Sequence, residues 1–320
     1  MLAIVAPGQG AQKPGFLVPW LEDSAVAARV EWLSTVAGVD LAHYGTEADE
    51  ESIRDTAIAQ PLLVGTALVT SYALSPDGDG FAGADVAAGH SVGEIAAAAG
   101  LEAINAEQAM VFVRERGNAM ASASAQRPTS MTALLGGDRD EVRARLAELE
   151  LTAANDNGPG QIVAAGTVEQ LEKLAESPPD KARLRPLSVA GAFHTEHMAP
   201  AVDHLTRLAA AITTRDPRSK LLSNRDGTVV HEGSEVLERL VSQVANPVRW
   251  DLCMQTMLDL GVTGLLELPP SGTLTGIAKR AMKGVETFAL KTPDDLDEAR
   301  AFIDRHTAAS PTSTAPEAAQ

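Results

Sequence analysis

Residues 84–99 read ADVAAGHSVGEIAAAA, and this stretch decides the fold. The apolar run 84–89 predicts a short buried strand, and the alanine-rich run 94–99 predicts a helix. Between them, GHSVG at 89–93 matches G-x-S-x-G, the pattern of a sharp strand-to-helix turn that presents a nucleophilic serine. The stretch therefore predicts an α/β protein with Ser91 at the end of a strand. An ordinary turn with a capping serine is the alternative interpretation.

Strand and helix patterns alternate on both sides of this stretch. Residues 2–6 predict a second buried strand, and residues 60–74 and 106–123 predict helices. This alternation is typical of a parallel sheet that is covered by helices on both faces. Residues 128–188 then follow the order βαββαβ, which is the ferredoxin-like pattern.

The order of the elements predicts two domains. Residues 1–127 and 189–305 form a large α/β domain, and residues 128–188 form a small inserted domain. In the returning part, Asn246 and Pro247 predict the cap and the first position of a helix. Residues 306–320 are rich in Ala, Ser, Thr and Pro and predict a disordered tail.

Composition argues against several classes of function. Lys and Arg number 26 against 43 Asp and Glu, so a net charge of -17 argues against nucleic-acid binding through bulk charge. The single cysteine, Cys253, excludes an internal disulfide and a thiolate metal cluster. Its spacing from Trp250 and Met257 predicts a buried helix face. No stretch is expected to approach membrane-spanning length, so we expect a cytoplasmic protein.

A serine hydroxyl needs a base, and the seven histidines supply the candidates. His194 ends a glycine-containing segment where the small domain returns to the large one, and such a junction is a common cleft wall. A catalytic base and a hydrogen-bonded loop histidine both remain possible for it. His90 adjoins Ser91 and should point elsewhere. The histidines in polar surroundings are expected to be solvated: His43, His231 and His306.

The loop GQGAQ at 8–12 follows the first predicted strand. It is not a dinucleotide fingerprint, because Lys13 occupies the position of the third glycine. Its better use is an oxyanion hole, which takes one N–H from the residue after the nucleophile and one from another strand-end loop. Those groups would be Val92 and Gln9, although an ordinary glycine turn is the alternative.

Arg116 is the most informative charge in the sequence. It shares a helix face with Phe112, Val113 and Met120, so its side chain should point inward. A buried guanidinium is costly unless it meets an anion. The anion can be an internal Asp or Glu, or a substrate carboxylate that fits the two-pronged guanidinium. Both possibilities remain open at this point.

Taken together, these segments resemble one family, the malonyl-CoA:acyl carrier protein transacylases, over about residues 1–305. The shared segments occur in the family's order: GQGAQ at 8–12, GHSVGE at 89–94, RG at 116–117, NDNGPGQ at 155–161, GAFH at 191–194, QVANPVRW at 243–250 and LTG at 274–276. The resemblance implies an α/β-hydrolase-like parallel-sheet core with an inserted ferredoxin-like subdomain.

The resemblance also implies roles for individual residues. Ser91 is implied as the nucleophile and His194 as its base, with Gln243 orienting the histidine in place of an acid. The backbones of Gln9 and Val92 are implied as the oxyanion hole.

Three further residues are implied to bind substrate, namely Arg116, Phe193 and Asn157. Arg116 would hold the malonyl carboxylate. Phe193 would crowd a branched α-carbon and so favour malonyl over methylmalonyl units.

The implied reaction is ping-pong transfer of malonyl from malonyl-CoA to the phosphopantetheine thiol of holo acyl carrier protein, through an ester on Ser91. No cofactor or metal is implied, and we expect a monomer. An acidic carrier would need a local basic face, and Lys181, Arg183 and Arg185 are candidates. The rival function is a serine hydrolase or thioesterase, whose acid would lie between serine and histidine, at Asp156 or Asp180.

Overall fold

The structure, a computed structural model, describes residues 1–75, 81–189 and 191–307. Within these residues the protein is a mixed α/β structure with two sheets. The strands are β1 (Leu2–Ala6), β2 (Val86–Gly89), β3 (Thr129–Gly136), β4 (Thr152–Asp156), β5 (Gln161–Thr167), β6 (Ala182–Pro186), β7 (Lys220–Leu222), β8 (Val229–Val230), β9 (Val248–Arg249), β10 (Gly264–Glu267) and β11 (Glu286–Ala289).

The α-helices of the described residues cover both sheets. They are α1 (Ser24–Ala37), α2 (Leu41–Thr46), α3 (Thr56–Leu74), α4 (Gly93–Gly100), α5 (Ala106–Ser124), α6 (Arg139–Glu148), α7 (Val168–Glu176), α8 (Ala199–Ala209), α9 (Gly233–Gln243), α10 (Trp250–Asp259), α11 (Thr273–Ala281) and α12 (Leu296–Thr307). Short 3-10 helices lie at Val18–Glu22, Ser52–Arg54, Glu196–Met198 and Pro293–Asp295.

The larger sheet has the strand order β11-β10-β1-β2-β7-β8. Its strands pair in parallel except β8, which is antiparallel to β7. In β1, Leu2 and Ile4 pack into the core on one face, whereas Ala3 and Val5 pack into the core on the other. Burial on both faces explains why the strand sequence is continuously apolar rather than alternating. The predicted parallel sheet covered on both sides is therefore confirmed.

The smaller sheet has the order β6-β3-β5-β4-β9. Its first four strands pair antiparallel, and β9 joins β4 in parallel with Val248 opposite Asn155. The prediction that Asn246 and Pro247 begin a helix was wrong, since they precede β9 and α10 begins at Trp250. Residues 248–249 extend to pair with β4, and this tertiary pairing overrides the local capping signal.

Helix α3 begins at Thr56 and not at residue 60 as predicted, because Asp55 caps it through the N–H of Ala57. Pro61 therefore lies inside the helix. The helix is long and apolar enough to cross a membrane by length and composition, so the expectation that no stretch approaches spanning length was wrong. Of its most apolar window 78% is buried inside the protein, where α3 packs against α5 and α4. Burial in the core accounts for its apolar sequence.

The C-terminal boundary also differs from the prediction. Helix α12 runs to Thr307, so the first two residues of the predicted tail are helical, and the remainder, 308–320, lies outside the described residues.

His306 was expected to be solvated, but it is 8% exposed and its ring contacts Thr263 and Glu286. His43 and His231 are exposed as predicted. Cys253 is buried on the α10 face as predicted.

Candidate active site

Ser91 lies in a tight turn between the end of β2 at Gly89 and the start of α4 at Gly93. Its φ of +54° is in the left-handed region, which side chains rarely adopt. A Cβ on Gly93 would lie 2.3 Å from the carbonyl oxygen of Ala6, so only glycine fits beside β1. The backbone N–H of Ser91 donates to Asn224 Oδ1 at 2.7 Å. This strained turn presents the hydroxyl above the end of the sheet.

The hydroxyl of Ser91 meets the imidazole of His194, with Oγ and Nε2 2.7 Å apart. The other ring nitrogen, Nδ1, is 2.9 Å from the backbone carbonyl oxygen of Gln243. A carbonyl can only accept a hydrogen bond, so the proton lies on Nδ1 and Nε2 carries a lone pair toward the serine. His194 also has a left-handed φ of +63°, and its own N–H donates to the carbonyl of Val244. The ring is thereby fixed in the tautomer that a base requires.

The surroundings of His194 keep the imidazole neutral. Burial, with the positive charge of Arg116 as the next largest cause, lowers its pKa to about 3. At neutral pH the ring is therefore unprotonated and able to accept the serine proton. His90, as predicted, points away from the serine and contacts Asn157 Oδ1 at 2.8 Å.

Gln243 contacts His194 through its backbone rather than its side chain. No Asp or Glu in the described part of the chain contacts the imidazole. Of the two acids that a hydrolase would need, Asp156 is paired with Arg139 and Arg143, and Asp180 is exposed. The arrangement is a Ser–His pair oriented by a neutral carbonyl.

Arg116 is 1% exposed, and its guanidinium faces the serine. Nη2 lies 3.4 Å from Ser91 Oγ and donates to Gln243 Oε1 at 2.8 Å, while Nη1 donates to Gln60 Oε1 at 2.7 Å. Among the described residues no carboxylate pairs with it, and Nε has no hydrogen-bond partner. Burial lowers its pKa to about 10, so the group stays charged at neutral pH. The internal Asp or Glu partner that the sequence left open is not found there.

The side chains around Ser91 enclose a cavity of about 70 Å³. Among its lining residues are Arg116 and Phe193, of which Phe193 is 6% exposed. Gln9 and Val92 also line it, and neither backbone N–H donates to an acceptor in residues 1–75, 81–189 and 191–307. Two free N–H groups beside a nucleophile can stabilise an oxyanion.

Asn157, which the resemblance implied as a substrate contact, does not line this cavity and lies behind His90. Asn155 lines it instead, and its buried Oδ1 finds no partner among the described residues. The irregular strand explains why Asn155 rather than Asn157 lines the cavity. Residues two apart share one face of a strand only while the strand is regular. The pairing of β4 with β5 shifts register between Ala153 and Asn155, and residue 157 already lies beyond the strand.

Three further buried polar residues form hydrogen bonds to residues of the site, and the sequence interpretation gave none of them a role: Gln60, Glu94 and Asn224. Gln60 had a usable signal, since it is an amide inside an otherwise apolar helix. Glu94 had another, since it is an acid within a run of apolar residues. In residues described by the structure, no group of three potential metal ligands occurs.

An α/β sheet that presents a Ser–His pair beside a buried arginine is suited to chemistry that passes an acyl group through a serine ester. The sequence profile of the Acyl transferase domain matches residues 4–302, and the chain belongs to this family.

Individual curated proteins and solved structures show which members of this family the chain is similar to. It is 52% identical over 299 residues to the malonyl CoA-acyl carrier protein transacylase of Mycobacterium bovis, covering 93% of this chain and 99% of that one. It is also similar to the crystal structure of MCAT from Mycobacterium tuberculosis, with a TM-score of 0.90, 51% identity, and coverage of 94% and 99%. A type II PKS acyl-carrier protein in complex with its malonyl-transacylase gives a TM-score of 0.88 at 29% identity, with the same coverage. The resemblance predicted from the motifs is confirmed.

Proposed function

We propose that this chain transfers malonyl from malonyl-CoA to the phosphopantetheine thiol of holo acyl carrier protein, through an ester on Ser91. The names of its relatives support the substrate and the carrier. The geometry around Ser91 supports the chemistry, because a short serine–histidine contact, a fixed imidazole and a buried cation meet in one cavity.

In the first half-reaction, His194 Nε2 takes the proton of Ser91 as Oγ attacks the thioester carbon. The N–H groups of Gln9 and Val92 receive the developing oxyanion. The carbon–sulfur bond then breaks, and the departing CoA sulfur takes the proton from His194. Malonyl remains as an ester on Ser91 and the imidazole is neutral again.

In the second half-reaction, the thiol of the carrier's phosphopantetheine attacks the ester carbon while His194 takes the thiol proton. The bond from the carbonyl carbon to Ser91 Oγ breaks, and His194 returns the proton to that oxygen. The product is malonyl thioester on the carrier and free serine. No cofactor takes part in either step.

The observation that carries this proposal is the state of Arg116. It is a buried cation without a carboxylate partner in the described residues, 3.4 Å from the nucleophile. A malonyl carboxylate would lie against the Arg116 guanidinium and be held by a charge-assisted hydrogen bond. The carboxylate would stay on Arg116 through both half-reactions.

We further propose the finer architecture. The larger sheet is an α/β-hydrolase-like core, and the order β6-β3-β5-β4 supports a ferredoxin-like subdomain. The domains comprise residues 1–127 with 189–305, and 128–188, and the protein acts as a cytoplasmic monomer. Arg183 and Arg185 are exposed on the edge strand β6 and would face an acidic carrier.

Intact-mass measurement after exposure to malonyl-CoA tests the proposal. We expect one added malonyl group, lost in a Ser91→Ala variant and removed by holo acyl carrier protein with formation of malonyl carrier. Free malonate as the main product, with or without carrier, would instead identify a hydrolase. No mass increase at all would exclude the serine ester.

A further inference from the structure

Glu94 is a buried acid in the first turn of α4, three residues after the nucleophile. It is 4% exposed, and burial raises its pKa to about 7. Burial of a carboxyl group is costly unless hydrogen bonds compensate for the lost water. Its Oε2 accepts from Gln243 Nε2 at 2.6 Å and from the backbone N–H of Asn224 at 3.1 Å.

The amide of Gln243 lies between this carboxyl group and Arg116. Its Nε2 donates to Glu94, and its Oε1 accepts from Arg116 Nη2 at 2.8 Å. The two ends of an amide have the same shape, so only their partners decide which way the group points. A flipped amide would present its NH2 to the guanidinium, and neither group could accept from the other.

Glu94 is the strongest acceptor for the NH2 end. The other acceptors of Gln243 Nε2 are the Ser91 carbonyl at 3.2 Å and Asn224 Oδ1 at 3.4 Å. Both contacts are longer than the 2.6 Å to Glu94 and run to neutral acceptors, whereas the Glu94 hydrogen bond becomes charge-assisted above the pKa of that carboxyl group. Asn224 is itself fixed, since its Oδ1 accepts from the N–H of Ser91 and its Nδ2 donates to the carbonyl of Gly89.

We infer that Glu94 is a positioning residue for Arg116, acting by fixing the orientation of the Gln243 amide. The neutral amide also keeps the two charges apart. A direct pair between Glu94 and Arg116 would neutralise the guanidinium, whereas the interposed amide takes one of its N–H groups and leaves its charge to be paired by a substrate carboxylate. The inference rests on the proposed function, because that function supplies the carboxylate.

The test compares two substitutions at position 94, assayed with malonyl-CoA and with the uncharged thioester acetyl-CoA. Glu94→Met keeps the volume but removes the acceptor, so Gln243 loses its orientation. We expect kcat/KM for malonyl-CoA to fall about tenfold, the size of one hydrogen bond to a charged group, with at most about a threefold change for acetyl-CoA. Glu94→Gln keeps an acceptor oxygen and should restore most of the malonyl activity.

The matched control is Glu267→Gln. Glu267 is another fully buried acid in the larger sheet, and it accepts from the backbone N–H groups of Gly272, Leu274 and Thr275, away from Arg116. Its loss should lower stability without changing the ratio of malonyl to acetyl activity. An equal loss for both substrates in Glu94→Met would reduce Glu94 to a structural residue and overturn the inference.

Crystal structures of the two variants supply a readout that does not depend on the reaction. The contact between Arg116 and Gln243 Oε1 should be lost in Glu94→Met and kept in Glu94→Gln, and its retention in both overturns the inference. Failure of the proposed function gives a different result, namely an Arg116→Ala variant that keeps the preference of the wild-type protein for malonyl-CoA.

Discussion

At the scale of single residues, the chemistry of the site depends on two buried side chains, His194 and Arg116. Both lie against Ser91, and burial lowers the pKa of each. The consequence is opposite in the two cases. His194 becomes neutral over the working pH range, whereas Arg116 remains a cation. A neutral base and a permanent cation beside one hydroxyl are what transfer of an acidic acyl group requires.

Replacement of Arg116 by alanine separates binding of the carboxylate from the acyl chemistry. We expect kcat/KM for malonyl-CoA to fall by about two orders of magnitude, because removing one partner of a buried, hydrogen-bonded ion pair costs roughly 2–5 kcal/mol and leaves the other charge unpaired. Activity with acetyl-CoA should fall less or rise. Steady-state transfer to the carrier measures both, and an unchanged preference for malonyl-CoA would contradict the assignment.

Phe193 is the residue whose size should set the choice of acyl group. It lines the small cavity with Ser91, and a serine in its place would leave room beside the α-carbon. Phe193→Ser should raise the ratio of methylmalonyl to malonyl transfer by about tenfold or more, since exclusion of one methyl group is worth roughly 1–3 kcal/mol. Competition between the two CoA esters, read by mass spectrometry of the carrier, gives the ratio. Phe193→Leu, which keeps much of the bulk, is the control.

The pH dependence of the reaction follows from His194. Its pKa is lowered to about 3, so the base is lost only as the pH falls toward that value. Between pH 5 and 8, acetyl transfer should therefore lack the acidic limb near 6.5 that an ordinary histidine would give. Single-turnover acylation with acetyl-CoA measures this, since product release does not enter. A limb near 6.5 would show that the imidazole is more hydrated than the structure indicates.

At the scale of elements, the position of Ser91 depends on how closely α4 approaches β1. A Cβ on Gly93 would meet the Ala6 carbonyl at 2.3 Å, and neither backbone can move without disturbing the sheet. Gly93→Ala should therefore cost about 3 kcal/mol or more of unfolding free energy, as strained or overpacked cores do. Urea unfolding followed by circular dichroism gives the value.

Gly276 in α11 provides the matched control for this substitution. A Cβ there would meet nothing within 4 Å, and the residue lies inside a helix. Gly276→Ala should raise the free energy of unfolding by about 0.5–1 kcal/mol, because alanine loses less backbone entropy in a helix. Equal destabilisation by the two substitutions would contradict the argument from close approach.

The elements that could be predicted from the sequence are those with a long local pattern. The apolar run before GHSVG predicted strand β2 and so led to Ser91, and the apolar face of α5 predicted that Arg116 points inward. The two-residue strand β9 carries no pattern of its own and exists because β4 lies beside it. The family resemblance implied Gln243 as an orienting residue but not how it acts, since the contact is made by its backbone carbonyl, which tertiary packing places beside His194.

At the scale of the whole molecule, a shared strand and a pair of salt bridges connect the smaller sheet to the C-terminal part of the chain. The smaller sheet takes its last strand, β9, from the C-terminal part of the chain. Arg139 of α6 contacts both Asp156 at the end of β4 and Asp251 at the start of α10. Met131 and Asn155 of the smaller sheet line the cavity beside Ser91, so we expect the site to depend on the folding of both sheets.

Asp156 is the buried member of the salt bridges between β4 and α6, and its removal should lower the free energy of unfolding of the whole protein. It is 1% exposed and pairs with two arginines whose side chains are about 40% exposed. Asp156→Asn should cost about 1–3 kcal/mol, below the ~3–5 kcal/mol of a fully buried pair. Because β9 and Arg139 link the two sheets, tryptophan fluorescence and far-ultraviolet circular dichroism should give one coincident transition, which is the test of two-state unfolding. The control is Glu148→Gln, which removes an exposed pair with Arg145 and should change stability by less than about 1 kcal/mol.

The cation of Arg116 has a practical consequence for the resting enzyme. A desolvated positive charge that pairs with no carboxylate in the described residues attracts any carboxylate small enough to enter, whether or not it carries a thioester. Acetate, formate and free malonate in a buffer should therefore act as competitive inhibitors, and dicarboxylates should act most strongly. Rates measured in such buffers would understate the turnover of the enzyme, whereas zwitterionic sulfonate buffers too bulky for the cavity would leave it unaffected.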